Sequence, residues 1–186
     1  MDPDAFLAWE RQQDERHVYF RGEIFAMSGG SPRHSRLSSR IIARLDQALG
    51  AGRCDVHTSD LRLGLDDRHF VYADAVVVCG ALELRPGTTD VVTNPGVVVE
   101  VLSKSTESYD RGGKQAGNLA LRSVQHYVLV AQRESRVEVY SRESDGSFRY
   151  RVGVSGDTLE LDHVGVTLTV DELYDRVFDL PGDDAS

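Results

Sequence analysis

The chain has 186 residues, 40% apolar and 27% charged, the proportions of a soluble globular protein with room for one buried core. Its formal charge of −9, from 30 acidic against 21 basic residues, excludes a protein that coats nucleic acid through broad positive charge. No apolar run reaches membrane-spanning length, and Met1–Glu10 lacks the basic start and apolar centre of a secretory leader, so a cytoplasmic chain with no membrane partner is expected.

Pro3 to Arg16 reads as a helix, with Pro3 in its first turn and Phe6, Leu7 and Trp9 as an apolar stripe. Val18 to Met27 alternates about an Arg21-Gly22 pair and predicts a hairpin. Glu23 follows that turn, and the residues alone make it a solvated strand-edge acid. The run Ser28–Ser31 breaks the strand. Ser31-Pro32 then opens a helix, serine as N-cap and proline at the first helical position, running to Leu49 and stopping at Gly50. Leu37, Ile41, Leu45, Ala48 and Leu49 form its apolar side. Arg33, Arg36, Arg40 and Arg44 line a neighbouring stripe, which is either a solvated face or a row of contacts to a nucleic-acid backbone. His34 falls on the apolar side, where a packed, hydrogen-bonded histidine is the ordinary case.

Cys54 to Leu65 reads as one strand, Asp66-Asp67 as a turn, and Phe70 to Val78 as the next strand, interrupted by Asp74. Cys54 and Cys79 lie in strand-like stretches outside any C-x-x-C arrangement, which predicts buried reduced thiols. Residues 81–95 form a polar connection. Val97 to Leu102 is a central strand buried on both faces, with Glu100 inside it. A loop through Ser103, Ser105 and Thr106 leads to Asp110, expected to cap a helix to Ser123 that Gly117 weakens. His126–Ala131 is another strand; Arg136–Ser141 and Phe148–Val154 pair about Asp145-Gly146 at the sheet edge. Thr169–Asp179 forms a last helix, and Asp183–Ser186 frays. The sum is one mixed α/β (α+β) domain over residues 1–186.

Two acids stand out because each interrupts a β-branched, apolar run. An ionised carboxylate there costs several kcal/mol unless it is paired, protonated or bound to a cation. Mg2+ prefers oxygen ligands, typically one or two carboxylates plus water and phosphate oxygens, and Asp74 with Glu100 offers such a pair. Lys114 follows a glycine pair at the start of the next helix, placed to orient an attacking water or to offset transition-state charge. Structural ion pairs would account for the same three residues equally well.

The succession Arg21-Gly22-Glu23-Ile24, Ser31-Pro32-Arg33-His34, Asp74 in a valine strand, VVVEVLSKST, DRGGK and HYVLV resembles the Uma-two family of restriction endonucleases, within the PD-(D/E)xK nuclease superfamily. The likeness runs from about residue 17 to residue 140 and is most specific at Glu-Val-Leu-Ser followed by Asp-Arg-Gly and Lys. It implies a restriction-endonuclease-like central mixed sheet flanked by helices. It also implies a Mg2+- or Mn2+-dependent DNA endonuclease, with Asp74 and Glu100 as metal ligands and Glu23 and Lys114 as further catalytic groups. His34 and Lys104 take possible accessory places. The chain departs from the pattern at Ala73 and Lys104, where proline is usual, and at Leu102, two positions after Glu100, where the superfamily has lysine. Two rivals remain open. One is an inactive nuclease-fold protein that binds nucleic acid or assembles other proteins. The other is a homodimer formed through strand Arg136–Ser141 or the arginine-bearing helix.

Overall fold

The computed structural model describes residues 1–27 and 29–183. Helix α1 (Pro3–Glu10) is capped by Asp2, whose carboxylate accepts the Ala5 N–H, and ends six residues earlier than expected. Strands β1 (His17–Phe20) and β2 (Glu23–Ala26) form the hairpin, with Arg21 and Gly22 both at positive φ as a tight reversal requires. Helix α2 (Pro32–Leu49) has the predicted bounds: Ser31 Oγ accepts the His34 N–H, and Gly50 terminates it. Ser28, part of the expected break, lies outside the described residues.

The next two stretches each divide. Cys54–Leu65 becomes β3 (Cys54–Thr58) and β4 (Arg62–Asp66). Phe70–Val78 becomes β5 (His69–Tyr72) and β6 (Ala75–Cys79). The chain changes sheet at both breaks. One sheet runs β2-β1-β5-β4-β7, where β7 is Val91–Val92 in the expected polar connection. The other runs β11-β10-β9-β8-β6-β3, with β8 (Val97–Leu102), β9 (His126–Ala131), β10 (Arg136–Arg142) and β11 (Phe148–Val154). Within it β8 is parallel to β9 and antiparallel to β6. Asp74 therefore sits at the crossing between sheets rather than inside a strand. The edge strand is β11, with β10 inside it, so a dimer made by strand pairing on that side would use Phe148–Val154, not Arg136–Ser141.

Strand alternation divides the core. Val97, Val99 and Val101 pack towards Leu37, Ile41 and Leu45 of α2, together with the hairpin β12 (Thr158–Leu161) and β13 (Val166–Thr169) and helix α5 (Val170–Tyr174). Val98 and Leu102 face the other way, towards Leu63, Leu65 and Tyr127. Glu100 shares that second direction. The helix expected over Asp110–Ser123 breaks into α3 (Glu107–Asp110) and α4 (Gly113–Ala120), so Asp110 closes a turn instead of capping one. Gly117 is where α4 approaches the sheet: a Cβ there would lie 2.8 Å from Leu65 Cδ1 and 3.3 Å from His69 Nδ1.

Cys54 and Cys79 are cross-strand partners on β3 and β6 and form a disulfide, which corrects the expectation of reduced thiols. Among the described residues no helix is long and apolar enough to cross a membrane.

Candidate active site

Strand β8 outruns β6. Their pairing ends at Ala75 opposite Val99, and the Val101 N–H beyond it donates to Asp74 Oδ2 at 2.7 Å. A carboxylate at the sheet crossing thereby finishes the ladder that the departing strand leaves open, beside Glu100. Two residues of α2 hold the same carboxylate: His34 Nε2 at 3.5 Å and Ser38 Oγ, donating at 3.4 Å. Burial opposes ionisation of Asp74, but His34, the Val101 N–H and the charge of Lys114 outweigh it and hold its pKa below the ordinary value. Burial likewise pulls the His34 imidazole down, and Asp74 more than restores it, so its pKa is raised.

Glu100 is 3% exposed at its side chain. Its Oε2 accepts from Lys114 Nζ at 2.7 Å, while Oε1 is buried with no hydrogen-bond partner among the described residues. Burial drives the Glu100 carboxyl well above its usual range, and the Lys114 charge offsets this incompletely because Asp110 and Asp74 add negative charge nearby. Burial pulls the Lys114 pKa down, and the charges of Glu100 and Asp110 more than offset it, so it is raised above its ordinary value. Asp110 is the residue that the sequence reading missed. Its Oδ1 lies 3.4 Å from Lys114 Nζ, and its Oδ2 accepts from Thr106 Oγ1 at 2.6 Å. The signal for it was spacing: Asp110 and Lys114 stand four apart, the separation that brings side chains together across a helical turn.

Asp74, Glu100, Asp110, Lys114, His34 and Lys104 all line one open cleft of about 1250 Å³. Lys104 is on its exposed loop and donates its backbone N–H to Asp183. Glu23 does not reach the cleft. It is exposed on β2, the edge strand of its sheet, paired opposite Phe20, because the Arg21-Gly22 reversal delivers it to that edge. That is the solvated acid read from its residues, and it sets Glu23 apart from the cleft residues with which the resemblance groups it. The arginine stripe is largely spent within the chain. Arg33 donates to the Leu180 and Gln132 carbonyls, Arg40 to the Glu172 carbonyl and Asp175, and Arg44 pairs with Glu172. Arg36 is exposed. A line of phosphate contacts along the helix would require these three side chains to leave their present partners. Asp183, expected to fray, is also engaged; residues 184–186 lie outside the described part.

Hard carboxylate oxygens are what Mg2+ or Mn2+ takes, and a buried carboxylate oxygen without a partner, next to a second carboxylate, fits such an ion. Asp74 and Glu100 would be its ligands. Among the described residues no group of three or more His, Cys, Asp or Glu side chains is disposed to hold a metal, so water and substrate oxygens would complete the shell.

Mixed sheets flanked by a few helices make this a nuclease-like α+β fold. A crystal structure described as a putative nuclease belonging to DUF820, from Anabaena variabilis, has a similar fold, with a TM-score of 0.79 at 16% identity over 95% of this chain and 99% of that one. The chain belongs to the Uma2 family, described as "Putative restriction endonuclease", whose model matches residues 3–171. Two uncharacterized proteins of Synechocystis sp. are relatives. One is 35% identical over 175 residues, 94% of this chain and 91% of the relative; the other is 29% identical over 141 residues, 75% and 80% respectively.

Proposed function

We propose that this chain is a Mg2+- or Mn2+-dependent endonuclease that hydrolyses DNA phosphodiester bonds by attack of water. The observation that carries the reading is the buried, unpartnered Oε1 of Glu100 in an open cleft shared with Asp74. Asp74 and Glu100 would hold the ion, which when bound polarises a phosphate oxygen and lowers the pKa of water. Lys114 remains charged between Glu100 and Asp110, so its part is to orient the nucleophile and offset charge on the reacting phosphate rather than to accept a proton. His34, with its raised pKa, fixes the Asp74 carboxylate from the α2 side and keeps it ionised. The reading places the chain in the cytoplasm.

The test is cleavage of supercoiled plasmid DNA by purified protein with Mg2+ and with chelator. Asp74→Asn and Glu100→Gln should each lower the rate by at least about 10²-fold while the circular dichroism spectrum stays unchanged. Cleavage that survives both substitutions and chelation overturns the assignment.

One observation favours a non-catalytic alternative: Lys114 already neutralises one oxygen of Glu100 at 2.7 Å, as it would in a site that needs no metal. Calorimetry with Mn2+ separates the two readings, because a binding or assembly module on this scaffold would give no heat of binding from a folded sample.

A further inference from the structure

Beside the cleft, where Ser31, Lys104 and Asp183 line its wall, Gln132 and Arg133 join the Lys104 N–H in a set of donors that the catalytic reading does not use. Gln132, 2% exposed, has its amide fixed by three bonds. Ser31 Oγ, from the cap of α2, donates to its Oε1 at 2.7 Å, which orients Nε2 the other way. One Nε2 hydrogen goes to the Leu102 carbonyl at 2.9 Å and the other to Asp183 Oδ2 at 3.1 Å. The Lys104 backbone N–H donates to the same Oδ2. Arg133 presents Nε and Nη2 to Oδ1 at 3.3 and 3.4 Å. An amide, a main-chain N–H and a guanidinium thus converge on two oxygens of one anion. The buried member of the set is held in orientation by Ser31, the N-cap residue of α2, which an incidental surface ion pair does not require.

The position of this cradle is informative. Leu102 lies two residues beyond Glu100, about 7 Å along the same strand. Asp183 reaches it at the end of a strap whose earlier part is moored independently. Arg33 donates from Nε and Nη2 to the Leu180 carbonyl and from its backbone N–H to the Pro181 carbonyl, and its guanidinium lies 5.2 Å from the Phe178 ring centroid. Removing the Asp183 carboxylate would therefore vacate the cradle without releasing the strap.

We infer that Gln132, Arg133 and the Lys104 N–H form an oxyanion site for a backbone phosphate of the substrate, next to the metal-binding acids, and that Asp183 occupies it as an internal competitor. A phosphodiester offers the same two-oxygen fork as a carboxylate. Of the other cations along the cleft, Arg16, His34 and Lys114 already face carboxylates, so a cradle freed of Asp183 is where a polyanion can gain charge-assisted hydrogen bonds. The ligand class is a phosphate oxyanion. Its origin in nucleic acid rests on the nuclease reading above; the cradle itself does not.

The test has two arms, both on the full chain. In the first, thermal unfolding is followed in inorganic phosphate at about 10 mM against chloride of equal ionic strength. Asp183→Ala should gain about 2 °C or more from phosphate, wild type should not, and Asp183→Ala combined with Arg133→Ala should lose the gain. In the second, labelled DNA is titrated by fluorescence anisotropy with Ca2+ in place of Mg2+, and Asp183→Ala should bind about tenfold more tightly than wild type. Absence of any phosphate-specific stabilisation of Asp183→Ala overturns the cradle, whatever the protein does to DNA. Stabilisation by phosphate with unchanged DNA affinity upholds the cradle and overturns its assignment to a nucleic-acid substrate. Gains in both arms, each lost with Arg133→Ala, establish the site as proposed.

Discussion

Glu100 and Glu138 occupy one row of the same sheet. Each is in register with Leu129, one from β8 and the other from β10, so their side chains leave the same face two strands apart. Both are buried and both meet a cation from the segment 107–120. Their oxygens fare differently. Glu138 Oε2 accepts from Arg111 and Tyr150, and Oε1 from Arg111 and Arg136, at 2.7 to 2.9 Å. Glu100 has Lys114 on one oxygen and, among the described residues, no partner on the other. Although burial acts on both, the two arginines and the tyrosine bring the Glu138 carboxyl down to about 2, while Glu100 is left well above its usual range. Burial of an acid in a strand is therefore no mark of function by itself; what separates Glu100 from Glu138 is its unfilled oxygen, on which the proposed metal site rests.

The largest expected contrast is in stability. Glu138→Gln should destabilise the fold by about 3 kcal/mol in urea unfolding, because it removes the buried charge on which two arginines and a tyrosine converge. Glu100→Gln should leave stability within about 1 kcal/mol of wild type without metal, since it removes a charge that burial disfavours and Asp110 still faces Lys114. Equal losses in the two variants would erase the distinction.

Acid titration sharpens it further. The folded-state pKa of Glu138 lies below its unfolded value of 4.5, so its contribution is complete above about pH 4.5 and is lost as pH falls through about 2. That contribution is about 3 kcal/mol. Glu100 has the opposite sign: its raised pKa supports folding only while it is protonated, and that support fades as pH rises through the folded value. Denaturation midpoints of Glu138→Gln followed from pH 5 to pH 2 should lose the steep part of the wild-type fall. A parallel curve would show that other carboxylates carry it. The smallest effect belongs to Arg136→Ala, which removes one of four hydrogen bonds to Glu138 from a side chain 35% exposed; a cost of about 1 kcal/mol is expected in the same urea assay.

The sequence disclosed local features best. Ser31-Pro32 and Gly50 bound α2 because caps are written in a few adjacent residues, and Val97–Leu102 shows its burial in its own composition. The breaks at Ser59–Leu61 and Ala73-Asp74 escaped because a sheet crossing depends on what the next segment pairs with, and both flanks remain apolar strands. Of the site, Asp74, Glu100 and Lys114 were legible as polar residues in apolar surroundings. Asp110 was not, since the residue that ends a turn resembles one that begins a helix. Glu23 shows the reverse: its residue context indicated solvent, and that is where the hairpin puts it. The row shared by Glu100 and Glu138 could not be anticipated, because register is a relation between distant strands.

Gly117 carries a consequence for the lysine. Helix α4 can rest against Leu65 and His69 only because position 117 has no side chain, and Lys114 stands one turn earlier on that helix. The 2.7 Å reach from its ammonium to Glu100 is thus set by a missing methyl group. A chain keeping every acid and the lysine, but with a larger residue at 117, would prise the helix outward and leave the two charges facing each other across a gap.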